Sequence, residues 1–364
     1  MNLADMLTFA DIGQLSAIAG RYEFECKRNS KHELIQALLS GLGSRTFMER
    51  QIRESAPEEL RFLNTLLFDR RDAFSLEDLL AAARLASFDA KPGASAQAAA
   101  RETVARFKTG GWLYNGAARD TRYLYQLPQD MKRSFREAFA DYLRGQTAAS
   151  PAPDMYREEQ GLCELDLAYL LHYIGEYEPE LSHEGAMYRR SQTQLMSGMH
   201  IAEELLGSKG WRFGYGRASE HYPDRLALLY DFARHRRWIA EDGKRLKLTA
   251  EGRDALLAGN ADRLIQLFSF WLRLYKGAIP NLPSLVYWIS RAAGDWVTAA
   301  SLEHAVGWLI KPFYYDDAAS IFDRRIVRMM LHLGMLRLGR TEEGTVLVMT
   351  RLGRELADPK RLLG

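Results

Sequence analysis

The amino-acid sequence predicts a mostly α-helical protein that carries small β-hairpins. Apolar residues recur at helical spacing through most of the 364 residues, whereas strand-like segments occur only as short pairs beside Gly-rich or charged turns. The phrase Thr-x-x-Gly-Arg occurs at residues 249–253 and again at residues 350–354, and each copy follows such a pair. Together these patterns indicate a series of similar small modules.

The composition is typical of a globular chain in a reducing compartment. Hydrophobic residues make up 47% of the sequence and charged residues 26%, which suffices for two or three cores of domain size. Polar residues interrupt every apolar segment before it reaches the length of about 18 residues that a membrane span needs. The two cysteines, Cys26 and Cys163, lie far apart and belong to no CxxC pair. We therefore expect a cytoplasmic protein without a structural zinc site or a disulfide framework.

Residues 1–44 predict a pair of short helices joined by a basic turn. Ser30 and Glu33 match a capping box at the start of the second helix, which Gly41 or Gly43 ends. The pair resembles the helix-extension-helix motifs of the SAP and Rho-N type, in which the start of the second helix contacts DNA or RNA. This resemblance makes Lys31 a candidate nucleic-acid contact. The alternative is a helical pair with a purely structural role.

Residues 45–144 predict a first module. Two helices, the second capped by Ser75, precede a third helix that starts at Ser95 and is stopped by Gly110-Gly111. A strand, a turn and a returning strand follow, and Pro128 stands in the first turn of the last helix. Helices followed by a two-stranded hairpin are the order of a winged helix-turn-helix module, whose hairpin is the wing.

Residues 145–160 predict a solvated linker, because residues 145–154 are small, polar and proline-bearing. Residues 161–290 predict a helical segment and a second winged module, and residues 291–364 predict a third. In both modules the threonine of the repeated phrase, Thr249 or Thr350, is expected to cap the helix that follows the hairpin. The glycine three residues further on would let that helix approach another backbone closely. The predicted fold is thus a set of tandem winged helix-turn-helix modules after a short helix-extension-helix segment.

Basic residues concentrate around two of the predicted hairpins, although the net charge of the chain is only +2. Residues 209–253 contain eleven Lys or Arg against six Asp or Glu, and residues 101–144 contain nine against five. Cations on such helix and hairpin edges favour contacts with DNA phosphates and weak sequence specificity. The candidate contacts are Gln97, Arg101, Lys108, Arg119 and Arg122 in the first module and Arg236, Arg237, Lys244, Arg245 and Lys247 in the second.

The order of elements over residues 1–290 resembles the helicase-associated N-terminal region of bacterial relatives of XPB-type DNA-repair and transcription helicases. Residues Leu181–Met196 are similar to the opening of a helical segment in that family, and Arg189 and Arg190 become further candidate nucleic-acid contacts. The chain contains neither a GxxxxGK[ST] phosphate loop nor a DEAD- or DEAH-like acidic box. The resemblance therefore implies an accessory region without the helicase motor.

Motifs for common enzyme chemistries, such as HExxH, GxSxG and GxGxxG, are missing, so we expect no enzymatic activity, cofactor or metal. The hypothesis is a DNA-binding accessory protein that contacts duplex DNA and partners a helicase. The alternative is a protein adaptor or transcription regulator whose winged helices dock protein. In the third module, exposed Arg324, Arg325 and Arg328 and the bulky segment 308–317 are expected to dock such a partner. The segment Trp211–Arg217 is a candidate for stacking on unpaired bases or for a loop that covers the core.

Overall fold

The structure is a computed structural model that describes residues 1–89, 94–116, 119, 121–207, 213–259 and 262–362, with no description of the side chains of residues 94 and 95. The described chain is mostly helical and carries small antiparallel sheets, as the sequence predicts. The chain folds into two compact units, and the boundary between them falls after Thr147.

The first unit contains one hairpin and a series of helices. The helices are α1 (Leu3–Phe9), α2 (Ile12–Arg21), α3 (Lys31–Leu42), α4 (Arg45–Glu54), α5 (Pro57–Phe68), α6 (Leu76–Ala86), α7 (Ala94–Thr109) and α8 (Gln129–Arg144). The hairpin consists of β1 (Tyr114–Asn115) and β2 (Tyr125–Gln126), with Tyr114 opposite Gln126.

The helical pair predicted near the N-terminus corresponds to α2 and α3. Ser30 caps α3, since its hydroxyl accepts the backbone N–H of Glu33 at 3.3 Å. The Glu33 carboxylate accepts the backbone N–H of Lys27 at 3.3 Å instead of that of Ser30, so the predicted reciprocal capping box is wrong. Of the two glycines proposed to end the helix, Gly43 is the C-cap residue.

Residues 57–144 form module 1, in which α5, α6 and α7 precede the hairpin and α8 follows it. Phe74, between α5 and α6, exchanges both backbone hydrogen bonds with Tyr125 of β2, at 2.9 and 2.8 Å. Below the hairpin, the buried Trp112 ring lies 4.7 Å from the ring of Phe107 and 4.7 Å from that of Phe135. These aromatic contacts fix the hairpin against the helices.

The caps of module 1 agree only in part with the sequence analysis. Ser75 caps α6, since its hydroxyl accepts the N–H of Asp78 at 3.0 Å. Pro128 is the N-cap residue of α8 and not a residue of its first turn. The Ser95 side chain lies outside the described residues.

The second unit begins at Ala148 and holds the remaining elements. Its helices are α9 (Leu162–Tyr177), α10 (Arg189–Gly198), α11 (Asp224–His235), α12 (Ala250–Leu257), α13 (Arg263–Tyr275), α14 (Leu282–Ala292), α15 (Ala299–Gly307), α16 (Ala318–Ser320), α17 (Arg328–His332), α18 (Arg351–Leu356) and α19 (Pro359–Leu362). A π-helical stretch, Ile321–Val327, joins α16 to α17, and Ala218–Glu220 is a 3-10 turn. The strands are β3 (Tyr156–Glu158), β4 (Ile239–Asp242), β5 (Arg245–Leu248), β6 (Val297–Thr298), β7 (Leu336–Thr341) and β8 (Gly344–Met349).

The element order of module 1 recurs twice in this unit. Residues 162–257 form module 2, in which α9, α10 and α11 precede the hairpin β4-β5 and α12 follows it; Glu180, between α9 and α10, bridges to Arg245 of β5. Residues 282–356 form module 3, in which α14, α15 and the helix from α16 to α17 precede the hairpin β7-β8; β6 pairs with β8. In every module, a short segment after the first helix pairs with the second hairpin strand.

The repeated phrase builds the joint between hairpin and last helix. In module 2, the backbone N–H of Thr249 donates to the carbonyl of Trp238 at 3.0 Å, and the Thr249 hydroxyl accepts the N–H of Gly252 at 3.0 Å. The Arg253 guanidinium donates back to the carbonyl of Leu248 at 3.2 Å. A Cβ on Gly252 would lie 2.2 Å from the Trp238 carbonyl oxygen, so the joint requires glycine.

Module 3 repeats each of these contacts. The N–H of Thr350 donates to the carbonyl of Met335 at 2.9 Å, and the Thr350 hydroxyl accepts the N–H of Gly353 at 2.9 Å. Arg354 donates to the carbonyl of Met349 at 2.9 Å. A Cβ on Gly353 would lie 2.0 Å from the Met335 oxygen. The threonine cap and the close approach of the glycine, both predicted from the repeated phrase, are therefore observed in both copies.

Two predicted boundaries differ from the structure. The linker predicted at residues 145–160 contains β3, which pairs antiparallel with β7 and extends the sheet of module 3 in the order β3-β7-β8-β6. Ala149 also bridges to Val297 in β6. Residues 145–147 bond to the last turn of α8, and several backbone groups from Ala148 to Glu158 bond to module 3, so the segment is not a solvated linker. The boundary predicted after residue 290 falls inside α14, which belongs with the third module.

Candidate nucleic-acid interface

Each module joins its third helix to its hairpin through the same backbone motif. In module 2 the N–H of Arg237 donates to the carbonyl of Arg234 at 2.9 Å, and the N–H of Trp238 donates to that of Ala233 at 2.9 Å. This pair of bonds is a Schellman motif, which needs its central residue in the left-handed region of backbone space. Arg237 accordingly has a φ of +59°.

The other two modules place glycine at the same position. Gly111 has a φ of +72° and Gly334 a φ of +70°, and their N–H groups donate to the carbonyls of Lys108 and Leu331 at 3.2 and 2.8 Å. Glycine suits this position because it has no Cβ to clash with the backbone. A residue with a side chain pays about 1–2 kcal/mol for the same conformation. Module 2 therefore holds an arginine where the backbone favours glycine.

The neighbours of Arg237 are also cationic. Arg236 and Arg237 are both exposed, and the Arg236 guanidinium lies 5.5 Å from the Trp238 ring centroid. Lys244 is exposed in the two-residue turn of the hairpin, which Gly243 makes possible with a φ of +61°. Within the described part of the chain, none of Arg236, Arg237 and Lys244 forms an ion pair. Their charges are available to a ligand.

The other two predicted cations of this hairpin are partly neutralised. Lys247 lies 2.7 Å from the carboxylate of Asp242, and this hydrogen bond raises the pKa of Lys247 and lowers that of Asp242. Arg245 lies 3.8 Å from the Glu180 carboxylate. The five cations predicted as one phosphate-binding set thus separate into three without an ion pair and two that share their charge with acids.

Module 1 carries its candidate residues on α7 and on the hairpin. Gln97 and Arg101 are exposed on α7, and Arg119 is exposed in the hairpin connection. Arg122 is exposed with its guanidinium 4.5 Å from the Tyr123 ring centroid. Lys108 is half-buried and donates to the Tyr125 hydroxyl at 3.0 Å, so this lysine ties α7 to β2.

The remaining candidates lie elsewhere. Lys31 is exposed, but its ammonium group donates to the carbonyl of Thr8 at 2.8 Å, which stabilises the end of α1. Arg189 donates to the carbonyl of Leu206, and Arg190 is exposed beside it in the first turn of α10. Positive charge at a helix N-terminus opposes the helix dipole, so the dipole does not favour this arginine pair at that position.

The expectation of exposed arginines in module 3 is wrong for Arg325. Its side chain is 1% exposed and lies 2.8 Å from the Asp316 carboxylate and 3.3 Å from that of Asp224. Arg324 is half-buried, and Arg328 is exposed and pairs with Asp323 at 3.6 Å. Arg325 is buried because it balances two buried acids, which the local sequence does not reveal.

The Arg325 pair with Asp316 anchors an exposed aromatic turn. Phe313 and Asp316 exchange backbone hydrogen bonds at 2.9 and 3.0 Å across a tight turn. The turn presents Tyr314, which is 83% exposed and has a φ of +51°, and Tyr315, which is 73% exposed. The Phe213 ring lies 6.0 and 5.4 Å from these two tyrosine rings.

Two residues of the segment proposed for base stacking contact this turn: Phe213 packs beside the exposed tyrosines, and the Tyr215 ring lies 5.8 Å from that of Phe313. Tyr215 is buried, and burial raises the pKa of its hydroxyl. Trp211 and Arg212 lie outside the described residues. The structure therefore supports the alternative for Tyr215, a loop residue that covers the core.

Sequence reasoning missed a buried ionic network in the second unit. Arg225, on α11, donates to Asp166 at 2.6 and 3.1 Å and to Glu159 at 3.1 Å. The His332 ring lies 2.8 Å from the same Glu159 carboxylate, and the His332 carbonyl accepts from Arg225 at 3.0 Å. Glu159 directly follows β3, and Asp166, Arg225 and His332 lie on α9, α11 and α17. Because these elements are far apart in the chain, no sequence motif could have indicated the network.

The described residues also bear on three other kinds of site: a metal centre, a reactive thiol and a membrane span. The described residues contain no group of His, Cys, Asp and Glu side chains that could hold a metal ion. Burial raises the pKa of the Cys163 thiol to about 12, which keeps it protonated and unreactive at neutral pH. No helix in the described ranges combines the length and the hydrophobicity of a membrane span.

Comparison with known proteins identifies no relative. No protein-family model matches the chain, and no curated protein is significantly similar to it. The resemblance to the helicase-associated region therefore remains a prediction.

Proposed function

We propose that this chain is a non-enzymatic, DNA-binding accessory protein whose three modules are winged helices that contact the phosphate backbone. The recurrent element order supports this fold, because each module has three helices, a hairpin and a short segment paired with the second hairpin strand. In a winged helix-turn-helix protein the third helix and the hairpin form the surface that contacts DNA.

Arg237 carries the functional part of the proposal. It occupies a left-handed backbone position that the sister modules give to Gly111 and Gly334. Backbone strain of this kind is concentrated at functional sites, where a side chain is needed in spite of its cost. The Arg237 side chain is exposed and forms no ion pair within the described residues, so no structural role offsets that cost. A need for a cation at the base of the hairpin therefore explains why the strained position is kept.

The character of the surface favours weak sequence specificity. The exposed face of α7 carries Ala98, Ala99 and Ala105 beside Gln97 and Arg101, and alanine offers no hydrogen bond to a base edge. Cations without ion pairs contact phosphates, which all sequences share. The preferred ligand is therefore duplex DNA of any sequence, presented to a partner such as a helicase.

Fluorescence anisotropy of a labelled duplex across a salt series tests this proposal. The full chain is compared with the double variant Arg236→Glu/Arg237→Glu. The matched control is Lys360→Glu/Arg361→Glu, which makes the same charge change at two adjacent exposed cations outside the proposed surface.

Each lost phosphate contact should reduce the slope of log affinity against log salt by about 0.9. We expect the Arg236→Glu/Arg237→Glu protein to lose a slope of roughly 2 and the control to change little. Equal losses in both variants would mean that net charge alone drives binding. An unmeasurable affinity of the unmodified chain at low salt would refute DNA binding.

The aromatic turn of module 3 favours a second candidate function, docking of a protein partner. Exposed tyrosines on a rigid turn are typical anchors of protein interfaces, since they bury a large area with little loss of side-chain entropy. We propose that Tyr314 and Tyr315 form such an anchor. Affinity capture with the full chain and with Tyr314→Ser/Tyr315→Ser tests this: a partner that both proteins recover equally contradicts docking at the turn.

A further inference from the structure

The first unit contains a cavity whose lining residues include none of the proposed DNA contacts. Its volume is about 470 Å³, which is the size of a small-molecule site. Three arginines line it from three different helices: Arg21 from the end of α2, Arg50 from α4, and Arg106 from α7. Two acids, Glu23 and Glu54, also line it.

Each arginine is positioned by a separate contact. The Arg106 Nε lies 3.0 Å from the carboxylate of Glu59, which is buried. Arg21 donates through one terminal nitrogen to the Thr109 hydroxyl at 3.0 Å. The Arg50 guanidinium lies 5.8 Å from a phenyl ring centroid of the same helix. The hydrogen bond of Arg21 and the ion pair of Arg106 restrict these two exposed side chains before any ligand binds, which reduces the entropy lost on binding.

These side chains leave many hydrogen-bond donors facing one cavity. A guanidinium group has five N–H donors and no acceptor. Within the described residues, Arg21 and Arg50 form no ion pair, and Glu59 is the one ion-pair partner of Arg106. A phosphate group presents several acceptor oxygens with a double negative charge, and the planar fork of arginine matches that geometry.

The acids make the site more selective than an arginine cluster alone. Glu23 and Glu54 would repel a bare anion, but their oxygens can accept hydrogen bonds from the hydroxyl or amino groups of a larger ligand. Glu23 also has a φ of +55° in the Schellman motif that ends α2, a position that favours glycine. The strained backbone at the cavity indicates that the Glu23 side chain is needed there.

We propose that this cavity binds a phosphomonoester whose organic part carries hydroxyl groups, with a nucleoside monophosphate as the matching size and chemistry. The three arginines bind the phosphate and the two acids accept from the sugar or base. The same terminal phosphate occurs on a free nucleotide and on the 5′ end of a nucleic-acid strand.

Isothermal titration of the full chain with AMP, with inorganic phosphate and with 5′-phosphorylated or 5′-hydroxyl oligonucleotides tests the proposal. The variant is Arg50→Gln, and the matched control is Arg53→Gln, an exposed arginine on the same helix that does not line the cavity. Circular dichroism checks that both variants keep their helices. We expect AMP to bind more tightly than phosphate and Arg50→Gln to weaken it about tenfold, the effect of one charge-assisted hydrogen bond.

The outcomes separate the two sources. A preference for the 5′-phosphorylated strand that Arg50→Gln abolishes identifies a nucleic-acid end, and AMP binding without that preference identifies a free nucleotide. The proposal is overturned if neither AMP nor the phosphorylated strand binds beyond the 5′-hydroxyl strand, or if Arg50→Gln and Arg53→Gln weaken binding equally. Binding of unphosphorylated duplex through Arg236 and Arg237 is measured separately, so either result stands without the other.

Discussion

Replacing Arg237 by glycine should make the protein more stable and a weaker DNA binder at once. Arg237 has a φ of +59°. Glycine adopts this left-handed conformation without strain, so the substitution removes a conformational cost of about 1–2 kcal/mol. Glycine also gains conformational freedom in the unfolded chain, which takes back roughly 0.5–1 kcal/mol. The net expectation for Arg237→Gly is an increase of about 0.5–1 kcal/mol in the free energy of unfolding.

Urea denaturation followed by circular dichroism measures the stability, and anisotropy across a salt series measures binding. One lost phosphate contact should lower the salt slope by about 0.9. Arg237→Ala is the control, because alanine removes the cation and keeps the strained backbone. We expect the alanine protein to lose the same slope without gaining stability.

Two results would refute this reasoning. If Arg237→Gly lowers the free energy of unfolding, the arginine makes a stabilising contact and the position is not strained for its function. If Arg237→Gly and Arg237→Ala both bind duplex DNA with the unaltered salt slope, the side chain does not contact phosphate.

Three further predictions concern the second unit. Arg225→Met should lower the free energy of unfolding by about 3–5 kcal/mol, because two buried carboxylates lose their counter-charge; a loss below about 1 kcal/mol in urea denaturation would contradict the buried network. Burial raises the pKa of Glu159, but the hydrogen bond with His332 and the charge of Arg225 outweigh it and lower the pKa below its ordinary 4.5. The stability that this lowered pKa contributes is present above pH 4.5 and is lost as the pH falls further. Glu159→Gln should therefore weaken the fall in the free energy of unfolding below pH 4.5. A variant whose free energy of unfolding falls as steeply as that of the unmodified chain would contradict this prediction. Gly353→Ala should lower the free energy of unfolding by about 1–3 kcal/mol, because the added Cβ would lie 2.0 Å from a backbone oxygen. The control Gly294→Ala, with open space around it, should change it by less than about 0.5 kcal/mol. Equal shifts of the melting temperature in the two variants would contradict the close approach.

Local patterns predicted the parts of this fold that are built from neighbouring residues. The helix caps at Ser75, Thr249 and Thr350 follow from a hydroxyl placed one residue before a helix, and each is observed. The close approach of Gly252 follows in the same way from its spacing after a capping threonine. Such features need only the chain within a few residues.

Features that depend on distant partners were not accessible from the sequence. Arg325 sits in a run that looks like a solvated basic face, and its burial follows from Asp224, 101 residues away. The cavity arginines belong to helices separated by dozens of residues, and each alone looks like an ordinary surface cation. The sequence predicts Arg237 as a phosphate contact, but its strain becomes visible only beside Gly111 and Gly334.

Strand β3 ties the start of the second unit to the sheet of its last module. It precedes all of module 2 in the chain, yet it borders β7 in the sheet of module 3. The polypeptide therefore leaves that sheet, completes an entire intervening module, and returns to finish it. A fragment starting at residue 161 would expose one side of β7 as an open strand edge, which invites intermolecular pairing and precipitation. A stable fragment that contains module 3 should therefore keep β3, and with it the whole of module 2.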